Sequence, residues 1–434
     1  MRSRYSLVVL GVASLIAGKA SASTDINGLF DARSHAMGGT GVAFIDSANA
    51  VPINPALLDQ VNKYSVSLDV FAIAAQPTAP YTIWHQKPDG SYYQNYESVR
   101  SKAAFAPLPT LGVAYRLHKR VVLGVATYPD IAQGTAAKYR PAPDEYPGLV
   151  ATNKASMALI EAGDALSIRI LDNLSLGLMW RITAMTQSVS TPLPTGSPPA
   201  GVIVNSEHTE VKNGNINVTG LNFKGFQIGV LWKPIPNLRI GFTYRNRVDV
   251  WGSGTTKTSV AGMNLSLKTH SGFTNPDSFR GGFAYSALDN KLLLAFDFKY
   301  LLYANAFKQL RTVVTQPNGM DKTNLQTAYW KNSACGEFGA EYKVTDGIAV
   351  RAGYTVLNSA TNPTYALAFF APAGISHLVT TGLGVKATES LNIDSALGFV
   401  ILKHHEDTAT PFNAGSGTYM SRGIEMSLMA TYHK

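Results

Sequence analysis

The sequence predicts an all-β fold, a transmembrane antiparallel β-barrel of about fourteen strands with an N-terminal segment plugging its lumen. Three observations predict it. The 434 residues are 45% hydrophobic but only 15% charged, against roughly 25% charged in a soluble domain, so the chain needs a solvent other than water. Apolar residues recur with period two along most of the chain, the spacing of a strand with one apolar face. Short and long links between these runs alternate strictly, as in barrels with short periplasmic turns and long outer loops. Disorder is excluded by 10% aromatic residues. The one cysteine, Cys335, excludes a disulfide scaffold and a multi-cysteine zinc module.

From the N-terminus, residues 1–22 read as an export signal. Arg2 and Arg4 precede an apolar run from Tyr5 to Gly18, and Ala20-Ser21-Ala22 is a small-residue cleavage site. The run falls short of the roughly 20 residues that span a bilayer. Removal of Arg2, Arg4 and Lys19 still leaves a basic chain, but its charges are dispersed and form no aromatic-interleaved stripe, which argues against nucleic acid as a partner. No later run reaches 18 apolar residues, so any crossing must be made by strands.

Residues 23–60 do not alternate. They contain Gly38, Gly39 and Gly41, then Asn54-Pro55-Ala56. The glycines lack the preceding strand and the following Lys-Ser/Thr of a phosphate loop; tight backbone turns in a compact plug explain them better. Such a segment ahead of a barrel has few places to go except its lumen.

Residues 61–434 supply the barrel. Tyr64, Val66, Leu68 and Val70 alternate with Ser65, Ser67 and Asp69, and Leu174, Leu176, Leu178, Trp180 and Ile182 alternate with Ser175, Gly177, Met179, Arg181 and Thr183. The second face is mostly Gly, Ser, Thr and Ala with scattered Arg or Lys, which suits a polar lumen behind a lipid-facing band. Six short turns lie at 117–120, 171–173, 233–237, 287–290, 344–347 and 387–390. The segments 72–103, 127–156, 186–219, 247–277, 302–333, 356–376 and 401–420 read as long irregular loops. Thirteen links give about fourteen strands.

Three features carry candidate function. On the third strand Val121, Leu123 and Val125 lead to Tyr128-Pro129-Asp130 and Gln133-Gly134. Proline donates no ladder hydrogen bond, so pairing should fail near Pro129 and open a local gap in the wall, flanked by Gly124 and Gly134; alternatively Pro129 only begins the outer loop. Tyr365, Leu367, Phe369 and Phe370 place apolar side chains in an outer loop, where an exposed patch marks a binding surface unless loops pack on one another. His404-His405-Glu406-Asp407 reads as a solvated loop rather than a metal site, and Ser34-His35 lacks a placed acid for a lipase-like site. No catalytic residue, metal or cofactor is expected.

The stretch from Gly28 to Leu58, with its Gly-rich start, Ile45-Asp46-Ser47-Ala48 and Asn54-Pro55-Ala56-Leu57-Leu58, resembles the N-terminal hatch of the FadL/TodX family of outer-membrane transporters for hydrophobic compounds. The hairpin from Gly225 to Arg245 is similar to a mid-barrel hairpin of that family. The resemblance implies a hatch-plugged barrel of fourteen strands in the bacterial outer membrane, passively taking up long-chain fatty acids or hydrocarbons by hatch movement, with a lateral exit at a kink in the third strand. Implied partners are hydrophobic small molecules, outer-membrane lipid and lipopolysaccharide, and the barrel-assembly machinery. Related barrels of gliding and secretion systems share a similar entrance, so a scaffold or secretion-system partner remains an alternative, as does a barrel enzyme acting on lipid. The ending Tyr432-His433-Lys434, in place of a terminal aromatic residue, departs from the family pattern.

Overall fold

A computed structural model describes residues 30–434 except 103, 193–202, 205–208, 211–212, 261–262, 367–372 and 411–412. Residues 1–29, including the expected signal, therefore lie outside the described residues. Strands β1 (Tyr64–Gln86), β2 (Tyr92–Arg100), β3 (Ala104–His118), β4 (Val121–Tyr139), β5 (Ala151–Leu171) and β6 (Leu174–Pro192) come first. A small hairpin, β7 (Ile203–Val204) and β8 (Thr209–Glu210), precedes β9 (Asn213–Ile235), β10 (Leu238–Arg245), β11 (Val248–Val260), β12 (Met263–Asn275), β13 (Ser278–Ala287) and β14 (Leu292–Leu301). After an outer hairpin, β15 (Gln309–Thr315) and β16 (Asp321–Thr327), the sheet is completed by β17 (Ser333–Thr345), β18 (Ile348–Asn358), β19 (Ile375–Thr388), β20 (Leu391–Glu406) and β21 (Gly417–His433).

The pairs β2/β3, β10/β11 and β12/β13 each continue one tilted strand, which makes fourteen around the wall. The cylinder closes where β21 pairs antiparallel with β1, from Ser65↔His433 to Thr78↔Met420. Closure is what lipid demands, because each unpaired backbone group in hydrocarbon is costly. Alternation sets the faces: Val66, Leu68, Val70, Leu176, Leu178 and Trp180 are exposed on the outside, while Ser65, Ser67, Asp69 and Ser175 are buried inside. All six short turns occupy the predicted places.

The segments expected to be irregular are corrected. β1 runs on to Gln86, β5 begins at Ala151, and β20 reaches Glu406. Past the lipid band the outer face no longer meets hydrocarbon although the inner one still packs, as at Ala79, Tyr81 and Ile83, so the hydrophobic contrast between the faces weakens while backbone pairing continues. For the same reason His404, His405 and Glu406 lie on a paired strand end rather than in a loop.

Candidate functional site: a seated plug beside a broken ladder

Phe30 to Gln60 fills the lower lumen and has almost no solvent contact. It consists of a short helix, Ala32–Ala36, a helical turn at Ala50–Ile53 and a 3-10 turn at Pro55–Gln60. Asp31 caps the first, accepting from the Ser34 N–H at 2.9 Å. Gly38 and Gly39 follow with φ of +69° and +85°, a conformation in which a Cβ is strained. A side chain at Gly38 would also press on the Phe338 carbonyl and the Tyr354 N–H of the wall, at 2.7 Å each. Gly41 has no such constraint; its N–H and that of Val42 both donate to Asp297 Oδ2 at 2.9 Å.

Asn54 performs two tasks. Its Oδ1 accepts from the Ala56 N–H at 3.1 Å, capping the 3-10 turn that Pro55 opens. Its Nδ2 donates to the Val42 carbonyl at 2.8 Å and to the Val230 carbonyl of the wall at 3.0 Å. The expected motif thus joins two parts of the plug and fixes both to β9.

The wall is shaped to receive these groups. A Cβ on Gly177 would collide with the Pro55–Ala56 peptide, one on Gly229 with Asn54 Oδ1, one on Gly241 with the Val42 carbonyl, and one on Gly353 with the Gly38 N–H. These glycines sit on β6, β9, β10 and β18, so the seat extends around the barrel. Gly124, singled out for the lateral opening, also faces the plug: its Cβ would stand 2.7 Å from Val51 Cγ2 and 2.8 Å from Leu58 Cδ1.

Charges lock the seat. Arg33 donates bidentately to Glu341 at 2.7 and 2.8 Å, and Glu341 also accepts from Arg351 at 2.7 Å. Arg280 pairs with Asp297 and Glu337 and also donates to the Gly39 carbonyl. Asp59 holds Arg169 at 2.9 Å and accepts from Ser175 at 2.8 Å. His35 is fully buried, 3.3 Å from Glu425 Oε2, so a carboxylate does face it. Asp31 in the plug is buried, and desolvation pushes its carboxyl up to about 6, with the negative charges of Asp394 and Asp46 adding to the rise. None of these wall residues was singled out from sequence, although glycine at inward positions of successive strands was a signal for the seat.

Above the plug the wall changes. Pairing of β3 with β4 runs from His118↔Val121 only to Leu111↔Thr127. Beyond this β3 remains paired with β1, and β4 with β5, leaving a slot that closes again where the Lys102 N–H donates to the Ala136 carbonyl at 2.9 Å. Three prolines border it, Pro107 and Pro109 on β3 and Pro129 on β4. Register against β5 shifts between Pro129 and Ile131, a bulge at Asp130. Tyr128 to Gly134 are buried without alternation, which places this stretch of β4 against interior side chains on both faces. Pro129 is therefore mid-strand and does not begin the loop. Gly134 is buried beyond the bulge, opposite Ser156.

Tyr128 turns inward, donating to Glu161 at 2.6 Å and packing on Phe30 with ring centroids 5.0 Å apart. Asp130 accepts from Arg245 at 3.0 Å. Beside them Phe71, Ile73, Leu108, Ala132, Ile160 and Leu378 form an apolar cluster inside the barrel. A second cluster under the outer loops is built on Phe273, Phe307 and Trp330. Of the expected outer patch, Leu367, Phe369 and Phe370 lie outside the described residues; Tyr365 is half-buried and meets Tyr329 edge-on at 5.2 Å.

A closed antiparallel barrel of fourteen strands, apolar outside and plugged from its N-terminus, is a membrane channel of the bacterial outer-membrane class. The chain belongs to the family described as outer membrane protein transport protein (OMPP1/FadL/TodX), whose model matches residues 13–432. It is thus an outer-membrane protein of a family of transporters of hydrophobic compounds. Among solved structures it is similar to a Pseudomonas aeruginosa FadL homologue, at TM-score 0.72 and 18% identity over 96% of this chain and 100% of that one. It is also similar to the Pseudomonas putida toluene transporter TodX, at 0.70 and 15% over 94% and 99%. The Ralstonia pickettii toluene transporter TbuX matches at 0.66 and 16%, again over 94% and 99%. No curated protein sequence matches the chain.

Proposed function

We propose that the protein passively takes up hydrophobic compounds such as long-chain fatty acids or hydrocarbons, gated by the hatch formed from residues 23–60 after removal of residues 1–22, and releases them sideways through the slot between β3 and β4. The observation that carries this reading is the coincidence of the ladder break with the cluster of Phe71, Ile73, Leu108 and Ala132 directly above the plug. An apolar solute gains nothing from a water-filled pore, whereas an apolar lining with an opening toward lipid avoids a return to water. Gly38, Gly39, Gly41, Asn54, Pro55 and Ala56 are the hatch residues of this reading. Pro129 and Gly134 belong to the opening, and Gly124 acts through the hatch it touches. Lipopolysaccharide around the barrel and the assembly machinery that inserts it are the partners such a protein requires.

The test spans the slot with a link. Cysteines at Leu108 and Ala132, in a Cys335→Ser background, are joined by a short reducible cross-linker, and uptake of toluene and of a long-chain fatty acid into proteoliposomes is followed. Linking should suppress uptake, reduction should restore it, and the barrel should remain resistant to heat. Full uptake with the link in place would send the ligand through the periplasmic mouth instead.

A further inference from the structure

Lumen cations near the plug follow a rule: each has a carboxylate partner. Arg33, Arg181, Arg245, Arg280, Lys299 and Arg351 all lie within 3.0 Å of an Asp or Glu oxygen. Lys233, Arg239, Lys291 and Lys343 break that rule. Among the described residues none of the four has a carboxylate within 4.0 Å. They come from four parts of the wall, at the ends of β9 and β10, before β14 and near the end of β17, yet they line a single cleft of about 390 Å³ at the mouth with the short turns. The hatch contributes Arg33, Asp46 and Gln60 to the same cleft.

These side chains point into the lumen. Trp232 and Phe242 are exposed, lipid-facing neighbours on β9 and β10, and Lys233 and Arg239, each two residues from inward Leu231 or Gly241, share the inward face. Gln60 Nε2 donates to the Ile45 carbonyl at 3.1 Å, which leaves its Oε1 to accept from Arg239, at a long 3.4 Å. Five cations thus face two carboxylates, Asp46 and Glu341. Like charges gathered in a concave site with low-dielectric walls concentrate an attractive potential for an anion, and a guanidinium offers a planar fork suited to phosphate oxygens.

We infer that this cleft binds a soluble oxyanion carrying two or more negative charges, phosphate or a phosphomonoester, drawn from the periplasm. Because Arg33 and Gln60 belong to the hatch and the four cations without a carboxylate partner to the wall, the bound anion adds a further tie between the two. Binding is read without transport, so the inference stands or falls separately from the uptake route.

The experiment uses detergent-extracted full-length protein and inorganic phosphate as the probe, in calorimetry and in a trypsin time course on the hatch. Phosphate should bind saturably and slow cleavage at Arg33. Loss of two charge-assisted contacts in a Lys233→Gln/Arg239→Gln double variant should weaken binding by about tenfold or more, while Lys119→Gln, at another short turn, should leave it unchanged. Heat-resistant migration of each variant on gels establishes that its barrel is intact. A second arm offers phosphatidic acid in bicelles. Binding of that lipid without binding of free phosphate would overturn a soluble source. Equal phosphate affinity in the double variant, or no saturable binding, would overturn the site itself.

Discussion

The seam between β20 and β21 and the seam between β3 and β4 belong to one cylinder and obey different rules. The first holds sixteen consecutive residue pairs, from Leu391↔Tyr432 to Glu406↔Gly417. The second holds seven and then parts. Lipid imposes the same demand on both, since each needs its backbone groups paired. What differs is donor supply: no proline lies in β20 or β21, whereas Pro107, Pro109 and Pro129 flank the open stretch of the other seam. The break also lies above the seated hatch and beside an apolar interior, the place where the proposed route needs the wall to part.

The plug below and the slot above form a second contrast. At Gly177, Gly241 and Gly353 the plug meets the wall through backbone contacts that leave no room for an added atom, whereas the slot is bordered by side chains such as Phe71, Leu108 and Ala132. The largest effect therefore comes from filling the seat. Gly177→Val with Gly241→Val places methyl groups against the Pro55–Ala56 peptide and the Val42 carbonyl, and overpacking of about 1–3 kcal/mol per site cannot be relieved by a rotamer change in backbone. The hatch should leave the lumen while the barrel stays heat resistant. Planar-bilayer recordings should then show an open, ion-conducting pore; a closed channel would mean that the seat is softer than its geometry.

A smaller, graded loosening follows from Asp31. Its carboxyl is raised by burial to about 6 from an ordinary value of 3.8, so the docked hatch binds more protons than the released one between those values. The stability tied to this group is complete below about pH 4, falls as pH rises through about 6, and amounts to on the order of 3 kcal/mol at most. Trypsin cleavage of the hatch should accelerate across that window in the native protein. Asp31→Asn, which keeps an acceptor for the Ser34 N–H, should remove this component of the pH dependence. An unchanged profile in the variant would assign it to another group.

Gly124→Val probes the same seat where it is soft. The added carbons meet the ends of Val51 and Leu58 rather than backbone, so the expected cost is at the low end of the overpacking range, about 1 kcal/mol. Conductance should remain closed, with slightly faster exchange of hatch amides. If Gly124→Val opens the pore as fully as the Gly177 and Gly241 pair, the distinction between backbone and side-chain contacts in the seat fails.

Much of this architecture was legible beforehand. Period two gave the strands, Pro, Gly, Asn, Asp or charge at the turns gave the links, and Asn54-Pro55-Ala56 marked the plug. Strand ends were not legible, because β1 beyond Gln76 and β5 before Met157 lose hydrophobic contrast while keeping their pairing. The lock was not legible either. Arg33 and Glu341 are 308 positions apart, and nothing local to either residue identifies its partner. Gly124 was legible as special but not in its role, since a glycine facing a plug and one beside an opening look alike in a sequence.

The smallest effect tests the seam itself. Replacing Pro107, Pro109 and Pro129 by alanine returns three N–H donors to the borders of the slot. Each ladder bond that forms contributes about 1 kcal/mol, and each lost proline gives back roughly 0.4–1 kcal/mol of freedom to the unfolded chain, so the two changes nearly cancel in stability. Thermal unfolding alone would therefore miss the repair. Hydrogen exchange at the new amides will detect it, with protection approaching that of β20 and β21. Where those amides become protected, uptake of toluene should fall while the hatch remains as trypsin resistant as before, because no contact of the seat has been touched. Protected amides with undiminished uptake would show that the slot is not the route; unprotected amides would show that the bulge at Asp130, held by Arg245, keeps the strands apart without help from proline.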